Sequence, residues 1–228
     1  TGHPAPSATY RDGGNKLYGL THVNLSGVGG QGDLGAILLM PTTGKLAFDF
    51  EGNASELGGQ SAAPGFYRTT LPQHGITIEA TATTRAGVTR FLLPPGQSHI
   101  ILNLANAVTT VRGAAVRQVG PREFEGSRLT GAFCWQTYAT APVFFVMRLD
   151  VEPAESGLWK DGRVVEESEV AAENCGAYVS FVSAKTHSVL VKVGISYTSI
   201  ANARANLDHE MPDWDFESVR TAAAAEWE

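Results

Sequence analysis

Thr21-His22-Val23-Asn24-Leu25-Ser26-Gly27-Val28-Gly29-Gly30-Gln31-Gly32-Asp33 runs directly into Leu34-Gly35-Ala36-Ile37-Leu38-Leu39-Met40 and halts at Pro41-Thr42-Thr43-Gly44. The six residues from Gly27 spell G-x-G-x-x-G, and an acid, Asp49, follows at a plausible distance. A dinucleotide-binding βαβ unit uses such glycines to leave a strand and open a helix whose N-terminus faces pyrophosphate. The continuation excludes that unit. Residues 34–40 form an apolar run of strand length, carry Gly35 and end in a proline turn, so they predict a buried strand. The glycine stretch is therefore expected as a loop, and the fold as β.

The same reading extends along the chain. Residues 45–50 alternate and predict a strand, as do 66–71 and 75–83, which flank the turn Pro72-Gln73-His74-Gly75 and predict a hairpin. In its second arm Ile76, Ile78, Ala80 and Ala82 share one face; Thr77, Glu79, Thr81 and Thr83 share the other, expected to be surface. Further strands are predicted over 88–93, 98–104, 108–116, 128–138, 143–151, 177–183 and 188–196. Such a series reads as a mainly β protein, an antiparallel β-sandwich. From Ser199 the period changes: Ile200, Ala203 and Leu207 fall at helical spacing, and Asp213 or Asp215 is placed to cap a second helix with Phe216, Val219 and Trp227. A division follows into a sandwich over 1–198 and helical linker over 199–228. Both ends look cut, so a segment of a longer chain is expected.

Composition bounds the function. In 228 residues, 43% are hydrophobic, which suits a globular core. Seventeen basic against 23 acidic residues leave a net charge of −6, which disfavours a general grip on nucleic acid. No run of 18 apolar residues reads as a membrane helix. Cys134 and Cys175 show no zinc spacing; they are either two buried thiols or one disulfide, and the disulfide would imply export.

Several stretches carry a family resemblance: residues 18–29, then Asp33-Leu34-Gly35, residues 38–44, Gly65-Phe66-Tyr67, His74-Gly75-Ile76, residues 79–87, 99–104, 191–197 and 201–207, and Pro212-Asp213-Trp214-Asp215-Phe216. Together they resemble the N-terminal domain of glycoside hydrolase family 92, bacterial exo-acting α-mannosidases. The resemblance implies a galactose-mutarotase-like supersandwich with C-terminal linker helices leading to an α/α-toroid catalytic domain. It implies inverting hydrolysis of a mannose-containing glycan, with calcium near the sugar. The acid, the base and the calcium ligands are expected in the toroid, so no catalytic residue is assigned here and this chain alone is expected to be inactive. Location is expected to be secreted or periplasmic.

Candidate substrate-binding residues are His22, Asn24, Ser26, Gly27, Gly29 and Gly30. Dense glycine lets backbone approach a ligand closely, and the neighbouring side chains are neutral hydrogen-bonders suited to hydroxyls. Asn24 stands where many family members carry a second His. Asp33 is read as satisfying loop amides, Trp135 as core, and residues 166–169 as a solvated acidic loop. His3, His74, His99, His187 and His209 are scattered without ligand spacing. The competing function is an independent carbohydrate-binding module. It requires exposed stacking aromatics, and Trp159 is the one tryptophan expected in a loop.

Overall fold

The computed structural model describes residues 16–28, 31–107, 110–130 and 140–227. Its strands begin with β1 (Lys16–Leu17), β2 (Leu20–Val28), β3 (Gln31–Thr43), β4 (Ser55–Glu56), β5 (Gly58–Ala63), β6 (Phe66–Leu71), β7 (Ile76–Ala82), β8 (Ala86–Leu93) and β9 (Gly96–Asn103). There follow β10 (Val111–Gly120), β11 (Glu123–Thr130), β12 (Ala141–Leu149), β13 (Glu155–Lys160), β14 (Arg163–Val165), β15 (Glu169–Ala171), β16 (Cys175–Ser183) and β17 (His187–Ser196). Two helices close the chain, α1 (Ile200–Glu210) and α2 (Phe216–Ala225).

Fifteen strands form a nine-stranded sheet, β15-β10-β11-β12-β17-β8-β7-β6-β5, facing a six-stranded sheet, β14-β13-β16-β9-β3-β2, while β1 and β4 pair apart. This is the expected antiparallel sandwich. Ile78, Phe91, Phe145 and Val191 from the larger sheet and Leu39, Leu102 and Val179 from the smaller one join a single buried cluster. The hairpin around His74 forms as predicted, with Leu71 opposite Ile76.

The other face of the nine-stranded sheet is not left to water. Both helices return across it, and Ala203, Leu207, Met211 and Phe216 make a second buried cluster with Ala86, Val88 and Val146. Gly194 of β17 permits the approach: a Cβ there would lie 2.6 Å from the Ala203 carbonyl oxygen and from Leu207 Cβ. The Ser199 hydroxyl caps α1 by accepting from the Asn202 amide, and Asp215 caps α2 by accepting from Ser218. Leu207 and Phe216 are buried and Ile200 packs on the cluster, whereas Trp227 is 76% exposed.

Glu79 is consequently buried at 8% exposure, against the sequence expectation of a surface position. It pairs with Arg90 at 2.7 Å and Arg68 at 3.6 Å, its cross-strand neighbours on β8 and β6. Glu123 and Arg148 are likewise opposite one another across β11 and β12.

Three other expectations change. Residues 45–50 are a loop rather than a strand; Phe48 stacks on Trp159 and Phe50 on Tyr18, each at 5.0 Å, so their alternation reflects ring packing without a ladder. His99 Nε2 donates to the Gly44 carbonyl at 2.8 Å and His74 Nε2 to the Asn53 carbonyl at 3.0 Å, tying both ends of that loop. Trp159 lies in β13 at 1% exposure, not in a loop. The β13–β14 turn uses Asp161 (φ 50°) and Gly162 (φ 77°), the left-handed pair that a two-residue hairpin requires. Part of the expected acidic loop is strand, since Glu169 opens β15 and pairs with Arg117 of β10.

Candidate functional site

The glycine stretch is a hairpin rather than a loose loop. β2 and β3 pair from Leu20↔Leu39 out to Val28↔Gln31, with register shifts after Val23 and Leu25. Gly29 and Gly30 at its tip lie outside the described residues. Asn24, Ser26 and Gly27 are placed on β2 as backbone, and nothing about their side chains enters the site described below.

At the base of this hairpin, His22 is half-buried where β2 crosses the start of β8. A cleft of about 560 Å³ opens beside it. Its walls are the first residues of β2, the β7–β8 turn from Ala82 to Gly87, the β5–β6 turn around Phe66, and the end of α2 with Trp227. Gly87 leaves room for the ring, since a Cβ there would stand 3.3 Å from His22 Cδ2.

His22 Nδ1 lies 2.8 Å from the Ile37 carbonyl oxygen. A carbonyl only accepts, so Nδ1 carries the proton and Nε2 of the neutral ring is an acceptor. Burial holds this imidazole down to about 4, and the Ile37 hydrogen bond offsets only part of that effect. At neutral pH the site therefore offers an uncharged acceptor. Ile37 is itself unusual: a fully buried β-branched residue at φ 57°, two residues after Gly35 at φ 58°. Left-handed backbone is costly for such a residue and persists only where its surroundings enforce it. Here the conformation accompanies a carbonyl placed on the His22 ring.

Of the residues named from sequence, the structure brings His22 to the cleft. Sequence reading missed the β7–β8 turn, Phe66 and Ile195, which line the same space. The Thr-Thr-Arg-Ala-Gly sequence of that turn carried the turn signal but no chemistry that singled it out. Cys175 is a free, buried thiol that donates to the Ala172 carbonyl at 3.2 Å, and burial raises its pKa. Cys134, the other member of the thiol-or-disulfide alternative, lies outside the described residues, as does Trp135.

The fold and cleft define a two-sheet antiparallel sandwich with a helical layer over one sheet and a histidine-edged cleft at the other sheet's margin. The chain belongs to the glycosyl hydrolase family 92 N-terminal domain family, whose model matches residues 2–196. It is similar to an α-mannosidase of family 92 from Bacteroides thetaiotaomicron, with TM-score 0.88 and 24% identity over 97% of this chain and 32% of that one. It is also similar to another family 92 glycosyl hydrolase, with TM-score 0.82 and 28% identity over 93% of this chain and 30% of that one. Among curated proteins it resembles an uncharacterized secreted glycosidase of the fungus Arthroderma benhamiae, 24% identical over 94% of this chain and 31% of that protein. The chain thus spans about a third of the length of each. No helix among the described residues is long and apolar enough to cross a membrane.

Proposed function

We propose that this chain supplies one wall of the active-site cleft in a calcium-dependent, inverting exo-α-mannosidase that releases mannose from glycans or mannan. The observation that carries the reading is the neutral, tautomerically fixed His22 at the edge of a cleft, in a chain of a glycosidase family. Its Nε2 accepts a hydrogen bond from a sugar hydroxyl and so orients the ring without bringing charge to it. The cleft walls are neutral or apolar apart from Arg85 and Glu226, as hydroxyl recognition requires. The glycine hairpin continues beyond His22 along the same strand.

Inversion requires an acid and a base carboxyl roughly 6.5–9.5 Å apart, so that water fits between them. The larger remainder of the relatives' length is where this reading puts that pair, with α1 and α2 leading toward it. Calcium belongs there too. Among the described residues no group of three or more His, Cys, Asp or Glu side chains is placed to hold a metal ion. Export, to the periplasm or beyond, is part of the same reading and is supported by the secreted fungal relative. The alternative of a free-standing carbohydrate-binding module loses the one tryptophan expected in a loop, because Trp159 is stacked beneath Phe48.

Kinetics on the full-length enzyme test the reading. His22→Ala is expected to lower kcat/KM for an aryl α-mannoside by the equivalent of about 1–3 kcal/mol, the range for a buried partner left unsatisfied. The 228-residue chain with calcium is expected to show no turnover. Near-wild-type kinetics in His22→Ala, or hydrolysis by the chain alone, would refute it.

A further inference from the structure

α1 ends on Glu210, a placement that is unfavourable by itself. A helix C-terminus carries partial negative charge, so a carboxylate in the last turn is repelled rather than held. The Glu210 side chain is also only 10% exposed, which costs an ionised group much of its hydration. The partners that offset both costs lie in the β7–β8 turn. Oε2 accepts from the Thr83 hydroxyl at 2.6 Å and from the Arg85 amide at 2.8 Å, and Oε1 accepts from Arg85 Nε at 2.6 Å. We propose that Glu210 is a positioning residue of the cleft: through these three hydrogen bonds α1 holds the β7–β8 turn against His22 and sets where that wall stands. Its part in turnover rests on the mannosidase reading, whereas the clamp rests on the hydrogen bonds alone.

The turn is built so that this contact controls the wall. The last pair of β7 and β8 is Ala82 with Gly87, and the Thr83 amide donates to the Ala86 carbonyl at 2.8 Å to close the residues between. On the β17 side the Arg85 carbonyl accepts from the Ile195 amide at 2.9 Å. The Arg85 amide, pointing the other way along the turn, is left for Glu210. Gly87 follows directly, and it is the residue packed beside the His22 ring, since a Cβ there would stand 3.3 Å from Cδ2. Thr83, Thr84, Arg85 and Gly87 line the same cleft as His22. A shift of the turn therefore moves the cleft wall and the packing beside the imidazole together. The guanidinium is the weaker half of the clamp, because the Arg85 side chain is 54% exposed and water screens the pair. The amide and the half-buried Thr83 hydroxyl are the firmer half: hydrogen bonds to a charged acceptor are stronger than neutral ones. A carboxylate accepts on both oxygens, whereas an amide accepts on one and donates from the other. Glu210→Gln therefore sets a donor against a donor at nearly unchanged volume.

The test uses the full-length enzyme and three variants: Glu210→Gln, Glu210→Asp and, as a control, Arg204→Ala. Arg204 anchors α1 through Glu123 at 2.6 Å and Glu125 at 2.5 Å, so its loss loosens the helix without touching the turn. Two quantities are measured, hydrogen exchange at the Arg85 amide and steady-state kinetics on an aryl α-mannoside. In Glu210→Gln the Arg85 amide is expected to exchange at least about tenfold faster, because local opening no longer breaks a bond to a charged acceptor. KM is expected to rise about five- to tenfold with kcat held within about twofold, the signature of lost substrate binding. A merely structural defect lowers the amount of active enzyme instead, so kcat falls and KM stays. Glu210→Asp keeps the charge but falls one methylene short; a smaller change of the same kind is expected, and it decides the matter if the Gln variant does not fold. Arg204→Ala is expected to leave both the Arg85 amide and KM unchanged. An unchanged KM in a folded Glu210 variant, a fall in kcat alone, or an equal rise in KM in Arg204→Ala would each overturn the assignment. A wild type that does not hydrolyse the mannoside would end the mannosidase reading instead. The clamp would then be judged by exchange, where an Arg85 amide as protected in Glu210→Gln as in the wild type overturns it.

Discussion

On the inner face of the nine-stranded sheet, Ile78, Phe91, Phe145 and Val191 are buried against the six-stranded sheet. On the outer face, Glu79, Glu125 and Lys192 are buried almost as deeply, beneath or beside α1 and α2. The strands alternate as a half-wet sheet should, yet both faces are covered. The outer face meets its cover through paired charges. Arg90 bridges Glu79 of the sheet to Glu217 of α2, 2.7 Å from each, with its guanidinium 4.2 Å above the Phe216 ring. Arg204 of α1 reaches Glu123 at 2.6 Å and Glu125 at 2.5 Å. Lys192 Nζ donates to the Met211 carbonyl at 2.6 Å, where α1 exposes its unpaired acceptors, and lies 4.2 Å from the Trp214 ring centre. A charged ladder thus gives the helices a fixed register, while apolar packing gives the sandwich its bulk stability.

The comparison breaks first if the inner face is not the stability core. Phe145→Ala removes a fully buried ring that also covers Gly126 of β11. A loss of about 3–5 kcal/mol is expected, since the cavity adds to the lost transfer energy. Urea unfolding measures it. A loss no larger than that of Glu79→Gln would show that the two faces contribute alike.

Acid sharpens the contrast, because it acts on the outer layer and the cleft while leaving apolar packing intact. Burial alone would raise the Glu125 carboxyl, but hydrogen bonds from Arg117 and Arg204 more than offset it and hold it below its ordinary value. Glu210 is lowered in the same way by Thr83 and Arg85. A depressed carboxylate contributes stability that is present above its unfolded value and lost as pH falls through the folded one. The helices should therefore loosen below about pH 4.5. His22 acts earlier. Its folded pKa of about 4 lies below the ordinary 6.5, so the unfolded state takes up the proton first. Stability should fall between pH 6.5 and 4, with ~3 kcal/mol as a ceiling. Urea midpoints at stepped pH, with His22→Gln as the comparison, measure the His22 part; protection of α1 amides against exchange measures the other. A flat wild-type profile down to pH 4 would contradict the neutral imidazole.

How much of this was legible follows the same line between the faces. Alternation in residues 66–71 and 75–83 reports backbone pairing, and those strands fall where the sequence puts them. Alternation does not report what covers a face. Glu79, flanked by threonines, carries the pattern of a wet surface, and only the return of α2, which begins at Phe216, buries it. The run at 45–50 fails for the converse reason: Phe48 and Phe50 are anchored by Trp159 and Tyr18, which a local pattern does not see. At the site, His22 was singled out because its neighbours resemble a known family. Its tautomer was not, since that depends on a left-handed Ile37 fifteen residues away. A β-branched residue is the last one that local propensity would place there.

The smallest predicted effect lies at the rim of the outer face, where water reaches the same kinds of group. Arg220 of α2 is 43% exposed and lies 3.5 Å from Glu217, itself 58% exposed, one helical turn away. Its guanidinium also covers the Phe66 ring at 3.9 Å. Exposed pairs of this spacing contribute only about 0.3–0.5 kcal/mol, because solvent screens the attraction and holding two long side chains costs entropy. An exposed cation–π contact adds about 0.5–1 kcal/mol. Arg220→Ala should therefore cost ~1 kcal/mol, with the ion-pair share vanishing in molar salt and the ring contact persisting. Arg90→Ala removes the cation between two carboxylates, one of them buried, and should cost ~2–3 kcal/mol with far weaker salt dependence. If the two substitutions prove equal and equally screened, the outer layer is a solvated surface rather than a second interior. The charge ladder would then set the helix register without contributing to the protein's stability.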